Sequence, residues 1–342
     1  MLSLSRLEGF LLGLALLYLA WRVGRGLSRR RVRWREELRS LVGALVLLVL
    51  FIGGGLLSHR PMLRLEGQGA NLVAVDFHSH TSASHDVRGD GMAGFDTGKN
   101  LEWHDRAGFD AVFVTDHNTT EGLVPVDVPV ALCRGREVSA WRSHIVLLGG
   151  ELDSVQGPYG EGWPGLARLL ADADTAYGAL AVASIPEYVR NHWGRLDSLV
   201  AAGVDGFEIV NASPKANELS RARRDTVIAL ARRTGTFVVG VSDNHGLGAT
   251  SMVWSLVSVP GWEVEPDRLC WGVMDALQGG YPAVQVVERH RLRADAWWPL
   301  WLTPLGLLWE TWRGMGWEMT AAWLAWIWAL WVVGRTRYLP SP

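Results

Sequence analysis

The middle of the chain repeats one pattern, in which a helical stretch is followed by glycine and then by a short apolar strand. The pattern occurs four times, with strands expected at residues 111–115, 179–185, 206–211 and 236–242. Glycine directly after a helix supplies the left-handed C-cap conformation, and alternation of helices with strands is typical of a mainly parallel sheet. The region therefore predicts an α/β fold.

Polar residues stand directly after the apolar strands of this region, at residues 76–80, 115–117, 208–211 and 242–245. A barrel of parallel strands carries its site at the carboxyl ends of many strands, whereas an open doubly wound sheet usually binds at one switch point. Because polar residues follow several different strands, the pattern favours a closed, TIM-like α/β barrel. We expect this barrel over residues 71–286.

The segment Asp76-Phe77-His78-Ser79-His80 contains the clearest chemical motif. Two histidines two residues apart at the end of a strand aim both imidazoles to the same side. Imidazole together with carboxylate suits Zn, Mn or Fe better than Ca or Mg. More residues of the same two kinds follow, namely His85, Thr115-Asp116-His117, Glu137, His144 and Asp243-Asn244-His245. The sequence therefore predicts a site for more than one divalent ion.

These blocks resemble the PHP family, named for its polymerase and histidinol phosphatase domains. The resemblance covers residues 71–286 and rests on DFHSHTSASHD, FVTDHNT, GREV followed by a histidine, a degenerate ASIPE, DGFEIVN and GVSDNH, in that order. It implies a distorted seven-stranded α/β barrel that hydrolyses phosphoesters with the help of metal ions.

The resemblance also implies a set of metal ligands. One ion would take His78, His80, Glu137 and Asp243, and Glu137 would bridge to a second ion bound by His144. A third ion would take His85, His117 and His245, although related sequences often have Asp where His85 stands. Asp76 and Asp116 would orient imidazoles from behind the ligands.

The chain departs from the family pattern at one ligand position. It reads Ala183-Ser184-Ile185-Pro186 where the family commonly has Ala-x-His-Pro. Because isoleucine has no atom that binds an ion, the second site is expected to be weaker, to recruit a water or to use His192. The sequence therefore predicts two or three divalent ions of Zn, Mn or Fe.

Adjacent divalent ions lower the pKa of a bound water toward ~7 and stabilise charge on a transferring phosphoryl group. We therefore predict a phosphatase or phosphodiesterase in which His78, His80, Glu137 and Asp243 hold the catalytic ions. The alternative is a non-catalytic module that binds metal or a phosphorylated ligand. In that case Ile185 indicates that the site has lost a metal ligand and its activity. A nuclease is less favoured, because the region is not basic and would repel a nucleic acid backbone.

Substrate contacts are harder to predict from the sequence. Arg134, Arg136 and Lys215 lie near the motifs and are expected to clamp a substrate phosphate, with ordinary surface roles as the alternative. The expected partners are a phosphorylated small molecule or a lipid-linked substrate, together with a membrane. Nucleic acid is not expected.

Apolar stretches near the N-terminus predict a membrane anchor over residues 1–58. The stretches 7–21 and 41–57 flank a segment, 22–39, that holds eight Arg and two Glu. About 20 apolar residues cross a bilayer, and Arg-rich loops stay in the cytoplasm. The chain is thus expected to be an integral protein of the bacterial inner membrane with its barrel on the extracytoplasmic side. A cleaved signal peptide is disfavoured, since no small-residue cleavage site follows the first stretch.

Residues 296–334 are predicted to form a Trp-rich membrane segment. Residues 319–333 suit a span, whereas 296–312 contains proline and suits an interfacial segment or a broken helix, so three spans are preferred to four. The two cysteines, Cys133 and Cys270, do not make a disulfide framework. Cys133 is expected to be a buried thiol, although export would allow the pair to oxidise.

Overall fold

The structure, a computed structural model, describes residues 4–28, 34–57, 64–89, 94–213, 219–246, 250–263, 268–289, 299–314 and 316–336. The helices are α1 (Leu4–Ser28), α2 (Trp34–Leu57), α3 (His85–Gly89), α4 (Thr97–Ala107), α5 (Gly162–Thr175), α6 (Glu187–Asn191), α7 (Leu196–Ala202), α8 (Arg221–Thr234), α9 (Leu269–Gln278), α10 (Thr303–Gly314) and α11 (Trp317–Thr336). The strands are β1 (Leu72–Ser79), β2 (Ala111–Val114), β3 (Ala131–Ala140), β4 (Ser143–Leu148), β5 (Leu180–Ala183), β6 (Gly206–Asn211), β7 (Phe237–Val241), β8 (Val253–Ser258) and β9 (Val284–Glu288).

The nine strands form one sheet in the order β7-β6-β5-β4-β3-β2-β1-β8-β9. Strands β1 to β3 pair in parallel, and so do β5 to β7. Strand β4 runs antiparallel between these two groups, and β8 and β9 add antiparallel strands beside β1. The predicted α/β barrel is confirmed in outline, but the described residues form nine strands where seven were expected.

The two ends of the sheet meet where β7 approaches β1 and β8. The residue after β7, Asp243, donates its backbone N–H to the carbonyl of His78 at 2.8 Å, and Asn244 forms a parallel bridge with Ser79. The hydroxyl of Ser255 in β8 accepts the N–H of Gly240 at 2.9 Å. These bonds curl the sheet into a near-barrel and bring the carboxyl ends of β1 and β7 together.

Helices pack on the strands through apolar faces at helical spacing. In α5, Leu166, Leu169 and Leu170 are fully buried against β3 to β6, and each contributes about 1.5–3 kcal/mol on burial. The glycines predicted to end three helices have positive φ, at 81° for Gly108 after α4, 117° for Gly203 after α7 and 78° for Gly235 after α8. Each helix therefore stops where its glycine adopts the left-handed conformation.

The cysteines differ from the prediction. Cys133 in β3 is bonded to Cys270 in α9 as a disulfide, across 137 residues of sequence and with Cα atoms 5.5 Å apart. Cys133 is buried as expected, but it is not a thiol. The sequence could not reveal the pair because only the packing of α9 on the barrel brings the two residues together.

The described chain divides into two compact units, one with α1, α10 and α11, and the other with α2 and the barrel. The boundaries predicted at 1–58, 71–286 and 296–334 stay predictions. Part of the predicted Arg-rich loop, residues 29–33, lies outside the described residues.

The predicted membrane spans and the integral membrane location were wrong. Among the residues that the structure describes, no helix combines the length and apolar character needed to cross a bilayer. The helices over the predicted spans, α1, α2 and α11, have 25, 24 and 20 residues. Spanning requires ~20 consecutive, predominantly apolar residues.

Candidate metal centre

Imidazoles and carboxylates from six elements converge at the carboxyl ends of the strands. They come from the end of β1, the turn after β2, the strands β3 and β4, the turn after β7 and the short helix α3. Within the described residues they form three groups, each with its ligand atoms within 4.8 Å of one another: His78, His80 and Asp243; His80, Asp86, His117 and His245; and His117, Glu137 and His144.

We call the first of these the inner group, comprising His78, His80 and Asp243. The Nε2 atoms of His78 and His80 are 3.0 Å apart. Oδ1 of Asp243 lies 3.5 Å from Nε2 of His78 and 3.3 Å from Nε2 of His80. Oε2 of Glu137 lies 3.3 and 3.4 Å from the same two nitrogens. Two imidazole nitrogens and two carboxylate oxygens therefore face one point, and all four side chains are almost completely buried.

Glu208 fixes the orientation of His78. Oε1 of Glu208 lies 2.6 Å from Nδ1 of His78, and Oε2 accepts the backbone N–H of Ile185 at 2.8 Å and the Nδ2–H of Asn211 at 3.0 Å. A carboxylate in this position accepts, so Nδ1 of His78 carries the proton. The lone pair of Nε2 is thereby directed at the inner group, as in the carboxylate–histidine pairs of metal sites.

The donor set of the inner group fits a divalent ion. Burial opposes protonation of His78, but Glu137, Asp243 and Glu208 outweigh it and raise the pKa of His78 well above its usual value, so the carboxylate oxygens 3.3–3.5 Å from its Nε2 favour a positive charge at this point. Mixed nitrogen and oxygen ligation is typical of Zn, Mn and Fe. His78, His80, Asp243 and Glu137 are therefore the residues that would hold such an ion.

Glu137 extends the site beyond the inner group. Its Oε2 lies 3.0 Å from Nδ1 of His117, and its Oε1 lies 3.1 Å from Nδ1 of His144. We call His117, Glu137 and His144 the outer group. Because the two oxygens of Glu137 face different imidazoles, this side chain has the geometry of a bridge between two neighbouring ions.

Asp86 is the carboxylate of the third group. Its Oδ2 lies 2.7 Å from Nε2 of His245 and 3.2 Å from Nε2 of His117. Burial opposes ionisation of this carboxyl, but the hydrogen bonds from His117 and His245 outweigh burial and hold the pKa of Asp86 well below its usual range. Nδ1–H of His245 donates to the carbonyl of Asp243 at 2.9 Å, which leaves Nε2 facing Asp86.

The site holds its carboxylates ionised although they are buried. Burial raises the pKa of Glu137, but His78, His117 and His144 outweigh it and leave that pKa well below its usual value. Burial also raises the pKa of Asp243, but the charges of His78 and His245 outweigh burial, and the pKa of Asp243 is lowered. Burial lowers the pKa of His80 to about 4, with His245 adding to the effect. The centre therefore favours charged carboxylates around at least one neutral imidazole.

The backbone at Asp243 is unusual. Its φ of 47° lies in the left-handed region, which costs a residue with a side chain on the order of 1 kcal/mol. The hydrogen bond from its N–H to the carbonyl of His78 holds this conformation. Aspartate tolerates the left-handed region better than most residues, and the turn directs its carboxylate into the inner group.

The structure places His85 differently from its predicted neighbours. His85 is exposed and lies outside the three groups, although its ring is 5.0 Å from the ring of His117. Asp86 takes the inward position instead. Successive residues of a helix point about 100° apart, so only one of the two at the start of α3 can face the centre.

Asp76 and Asp116 support the site from behind. Asp76 accepts Nε2–H of His104 at 2.8 Å and the backbone N–H of Ser242 at 3.0 Å, so it joins β1, α4 and the turn after β7. Asp116 accepts the backbone N–H of Thr81 at 2.6 Å, and burial raises the pKa of Asp116 to about 6. Neither carboxylate hydrogen-bonds a predicted ligand imidazole, so their orienting role stays a prediction.

The predicted gap in the second site lies at a buried position. Ile185 is 1% exposed, and its backbone rather than its side chain is engaged, by Glu208. His192 is also buried, but its ring lies 5.0 Å from the ring of Trp141, and it belongs to none of the three groups. Glu187 is partly buried, and burial raises its pKa, with His144 opposing and Glu137 and Asp243 adding to the shift.

The arginines predicted to bind a substrate phosphate form hydrogen bonds with other parts of the protein. Nη2 of Arg134 donates to Asp153 at 2.9 Å, while Arg136 donates to the carbonyls of Leu152 and Asn118, both at 2.8 Å. Lys215 lies outside the described residues. A role for these cations in substrate binding stays a prediction.

Sequence reasoning missed Asp86 as a candidate ligand, Glu208 as the partner of His78 and Glu187 beside the outer group. A signal existed for Asp86, which directly follows His85 at the start of a short helix. Glu208 stood at the end of a predicted strand, but nothing local pairs it with a histidine 130 residues away. Glu187 has the appearance of an ordinary first-turn helix residue, and only the packing of α6 reveals its neighbours.

Comparisons with protein-family models and with curated protein sequences find no match to this chain. Three solved structures are similar to parts of it. A candidate metal-dependent phosphoesterase from Bifidobacterium adolescentis has 16% identity and a TM-score of 0.39, covering 55% of this chain and 90% of its own. PsfC from Pseudomonas syringae has 16% identity and a TM-score of 0.41, covering 70% and 97%. An amidohydrolase from Chromobacterium violaceum has 19% identity and a TM-score of 0.36, covering 52% and 88%. Likenesses of this size assign no activity to the chain.

Proposed function

We propose that this protein is a PHP-type, metal-dependent phosphoester hydrolase, acting as a phosphatase or phosphodiesterase. The observation that supports the proposal most is the convergence of the inner group with Glu137. Oδ1 of Asp243 and Oε2 of Glu137 each lie 3.3–3.5 Å from the Nε2 atoms of His78 and His80, which are 3.0 Å apart. When bound there, divalent ions would supply water activation and stabilisation of phosphoryl charge.

The chain's own residues prepare the site for those ions. Glu208 holds the proton of His78 on Nδ1, and the carbonyl of Asp243 holds the proton of His245 on Nδ1. Nε2 of each imidazole therefore faces carboxylates of the centre and would be the ligand atom once an ion takes the place of its proton. The left-handed turn at Asp243 fixes its carboxylate, so the ligands are in place before an ion or a substrate arrives.

The charge of the centre favours an anionic substrate. Asp86, Glu137 and Asp243 contribute three negative charges, whereas two or three divalent ions contribute four or six positive ones. The ions and these three carboxylates then sum to a charge between about +1 and +3, and attraction of an anion to such a charge is strong in a buried site. A phosphoester, with its charged non-bridging oxygens, complements this charge better than a neutral amide. A phosphorylated small molecule and a lipid-linked phosphoester both satisfy this requirement.

The test is hydrolysis by the full-length protein loaded with Mn²⁺ or Zn²⁺. The substrates are p-nitrophenyl phosphate, bis-p-nitrophenyl phosphate and the neutral ester p-nitrophenyl acetate. We expect metal-dependent release of nitrophenol from one or both phosphoesters. The double variant His78→Ala/His80→Ala should lose this activity, while Glu161→Gln, an exposed residue before α5, should retain it.

Two results would contradict the proposal. Turnover that survives in the double variant would come from another source than this centre. Tight binding of two ions without turnover of any phosphoester would favour the alternative function, a module that binds metal or a phosphorylated ligand.

A further inference from the structure

Helix α4 carries buried polar side chains on the face that is turned toward the end of β1. Thr97, Asn100 and His104 are buried, and residues three and four apart share one face of a helix. Nδ2 of Asn100 donates to the carbonyl of His80 at 2.8 Å and to the hydroxyl of Ser79 at 2.7 Å. This face of α4 therefore holds the backbone of a candidate metal ligand.

His104, on the same face, has an acceptor at each ring nitrogen. Nδ1 lies 2.8 Å from the carbonyl of Asn100, and Nε2 lies 2.8 Å from Oδ2 of Asp76. A carbonyl oxygen only accepts, so Nδ1 donates, and one further proton lies between Nε2 and the carboxyl group of Asp76. Both side chains are completely buried. An apolar pair of the same volume is often as stable as such a pair, so stability alone does not account for it.

The other partners of Asp76 stand directly beside metal ligands. Oδ1 accepts the N–H of Ser242 at 3.0 Å and that of His78 at 3.3 Å, and Oδ2 accepts the hydroxyl of Ser242. Ser242 precedes Asp243, whose φ of 47° must be held by its surroundings and whose N–H donates to the carbonyl of His78. The carboxyl group of Asp76 therefore joins the end of β1 to the turn that carries Asp243.

We propose that His104 is a positioning residue of the inner group. Through Asp76 it holds the turn at Ser242 and Asp243 against β1, and so sets the position of the Asp243 carboxylate relative to the imidazole of His78. The inference rests on the metal centre of the proposed function. Without His104, Oδ2 of Asp76 would lose a buried partner, and the carboxyl group would be free to turn away from the N–H groups that it orders.

The simpler interpretation is that His104 only fastens α4 to the barrel. Thr97 provides a matched control on the same helix face, because its hydroxyl donates to the carbonyl of Gly122 at 2.6 Å and makes no contact with Asp76. Thr97→Val keeps the shape of the side chain and removes one buried hydrogen bond of α4. If fastening were the whole role, His104→Gln and Thr97→Val would both lower the melting temperature and leave metal binding unchanged.

The test is equilibrium dialysis of the full-length, metal-free protein against Mn²⁺, with bound metal counted by mass spectrometry. The inner ion is the one that Asp243→Asn loses, because Asp243 belongs to the inner group alone. We expect His104→Gln to raise the Kd of this ion about tenfold, at the lower end of the range for groups behind metal ligands. Thr97→Val should leave this Kd within about twofold of the wild-type value, since it is not coupled to the ligands.

A double-mutant cycle with Asp76→Asn gives a measurement that a purely structural role would not satisfy. Because His104 reaches the ligands through Asp76, the double variant His104→Gln/Asp76→Asn should bind the inner ion within about twofold of Asp76→Asn alone. A Kd that rises by the product of the two single effects would show that the residues act independently, and would overturn the inference.

The outcomes separate this inference from the proposed function. If the wild-type protein binds no ion that Asp243→Asn loses, both fail. If it binds that ion and His104→Gln leaves its Kd within about twofold, only the role of His104 is overturned. Should His104→Gln not fold, Ser242→Ala removes the hydroxyl that Oδ2 of Asp76 accepts and should raise the same Kd several-fold. Unchanged binding in Ser242→Ala would then overturn the inference.

Discussion

The carboxylates buried at the two ends of the barrel have different neighbours. At the amino ends of the strands, Asp110 accepts the N–H of Ala74 and Asp205 accepts the N–H of Ala181, at 2.7 and 2.8 Å. Burial raises the pKa of both Asp110 and Asp205, although these backbone donors partly offset it. At the carboxyl ends, Asp86, Glu137 and Asp243 face imidazoles instead, and each has a lowered pKa in spite of burial.

This difference indicates which buried carboxylates are structural and which are functional. A carboxylate whose neighbours are backbone N–H groups links two strands and is satisfied where it lies. A carboxylate that faces imidazole nitrogens is satisfied when a proton or a metal ion supplies positive charge between them. Aspartate therefore links strands at the amino ends of the barrel, and at the carboxyl ends Asp86 and Asp243 lie among imidazoles as candidate metal ligands.

The largest effect is expected from Asp243→Asn, because it removes a ligand charge from the inner group. Asparagine tolerates the left-handed backbone at this position, so the turn should keep its shape. We expect phosphoester hydrolysis to fall by more than about 100-fold, beyond the range typical of residues behind the ligands. Steady-state kinetics and metal counting check this. Unchanged ion content together with unchanged turnover would show that Asp243 is not a metal ligand, and would contradict the difference between the two ends of the barrel.

The next effect concerns Glu208, which touches His78 but is not itself among the ligand groups. Glu208→Gln keeps the shape of the side chain but weakens the acceptor for Nδ1–H of His78. We expect a loss of about 10–100-fold in activity and in the affinity of the inner ion. A parallel fall in both quantities marks a positioning role. A fall in activity at constant metal affinity would contradict it.

Asp86 and His85 offer a paired test at adjacent positions. Asp86→Asn should weaken the ion shared by His80, His117 and His245, since it removes the carboxylate that faces them. His85→Ala should have a smaller effect, because its side chain is exposed and lies outside the three groups. Calorimetric titration with Mn²⁺ compares the two variants. A larger loss in His85→Ala would favour the ligand set expected from the family resemblance.

The smallest effect is expected at the opposite end, from Asp205→Asn. The folded protein holds the proton of Asp205 more tightly than the unfolded chain does, because its pKa is raised. Its contribution to stability is therefore complete below the unfolded pKa and is lost as the pH rises through the folded one. The melting temperature of Asp205→Asn relative to wild type should rise from pH 3 to pH 7.

The metal content of Asp205→Asn should stay that of the wild-type protein. Asparagine keeps an oxygen that accepts the N–H of Ala181, so the link between the strands is retained. Loss of bound metal, or a relative melting temperature that falls over this pH range, would show that the two ends are not separate.

The sequence predicted the parts of this architecture that depend on local patterns. Strand β6 was expected at 206–211 and is observed as Gly206–Asn211. Apolar runs, helix-ending glycines and polar residues after strands can each be recognised from about ten consecutive residues. Together with the family resemblance, they identified seven of the eight residues that form the three ligand groups: His78, His80, His117, Glu137, His144, Asp243 and His245.

What the sequence did not reveal depends on distant contacts. The antiparallel strands β4, β8 and β9 carry no helix–glycine–strand signal, and the expected count of seven strands came from the family resemblance. The disulfide, the pairing of His78 with Glu208 and the inward position of Asp86 follow from packing between remote segments. The membrane prediction rested on apolar stretches and on an Arg-rich segment between them, but no helix among the described residues has the length and apolar character to span a bilayer.

The most direct test of the central claim is anomalous diffraction from crystals of the full-length protein grown with Mn²⁺. We predict an anomalous peak bounded by Nε2 of His78, Nε2 of His80, Oδ1 of Asp243 and Oε2 of Glu137. Manganese bound elsewhere in the crystal, with no peak among these four atoms, would contradict the assignment of the metal centre.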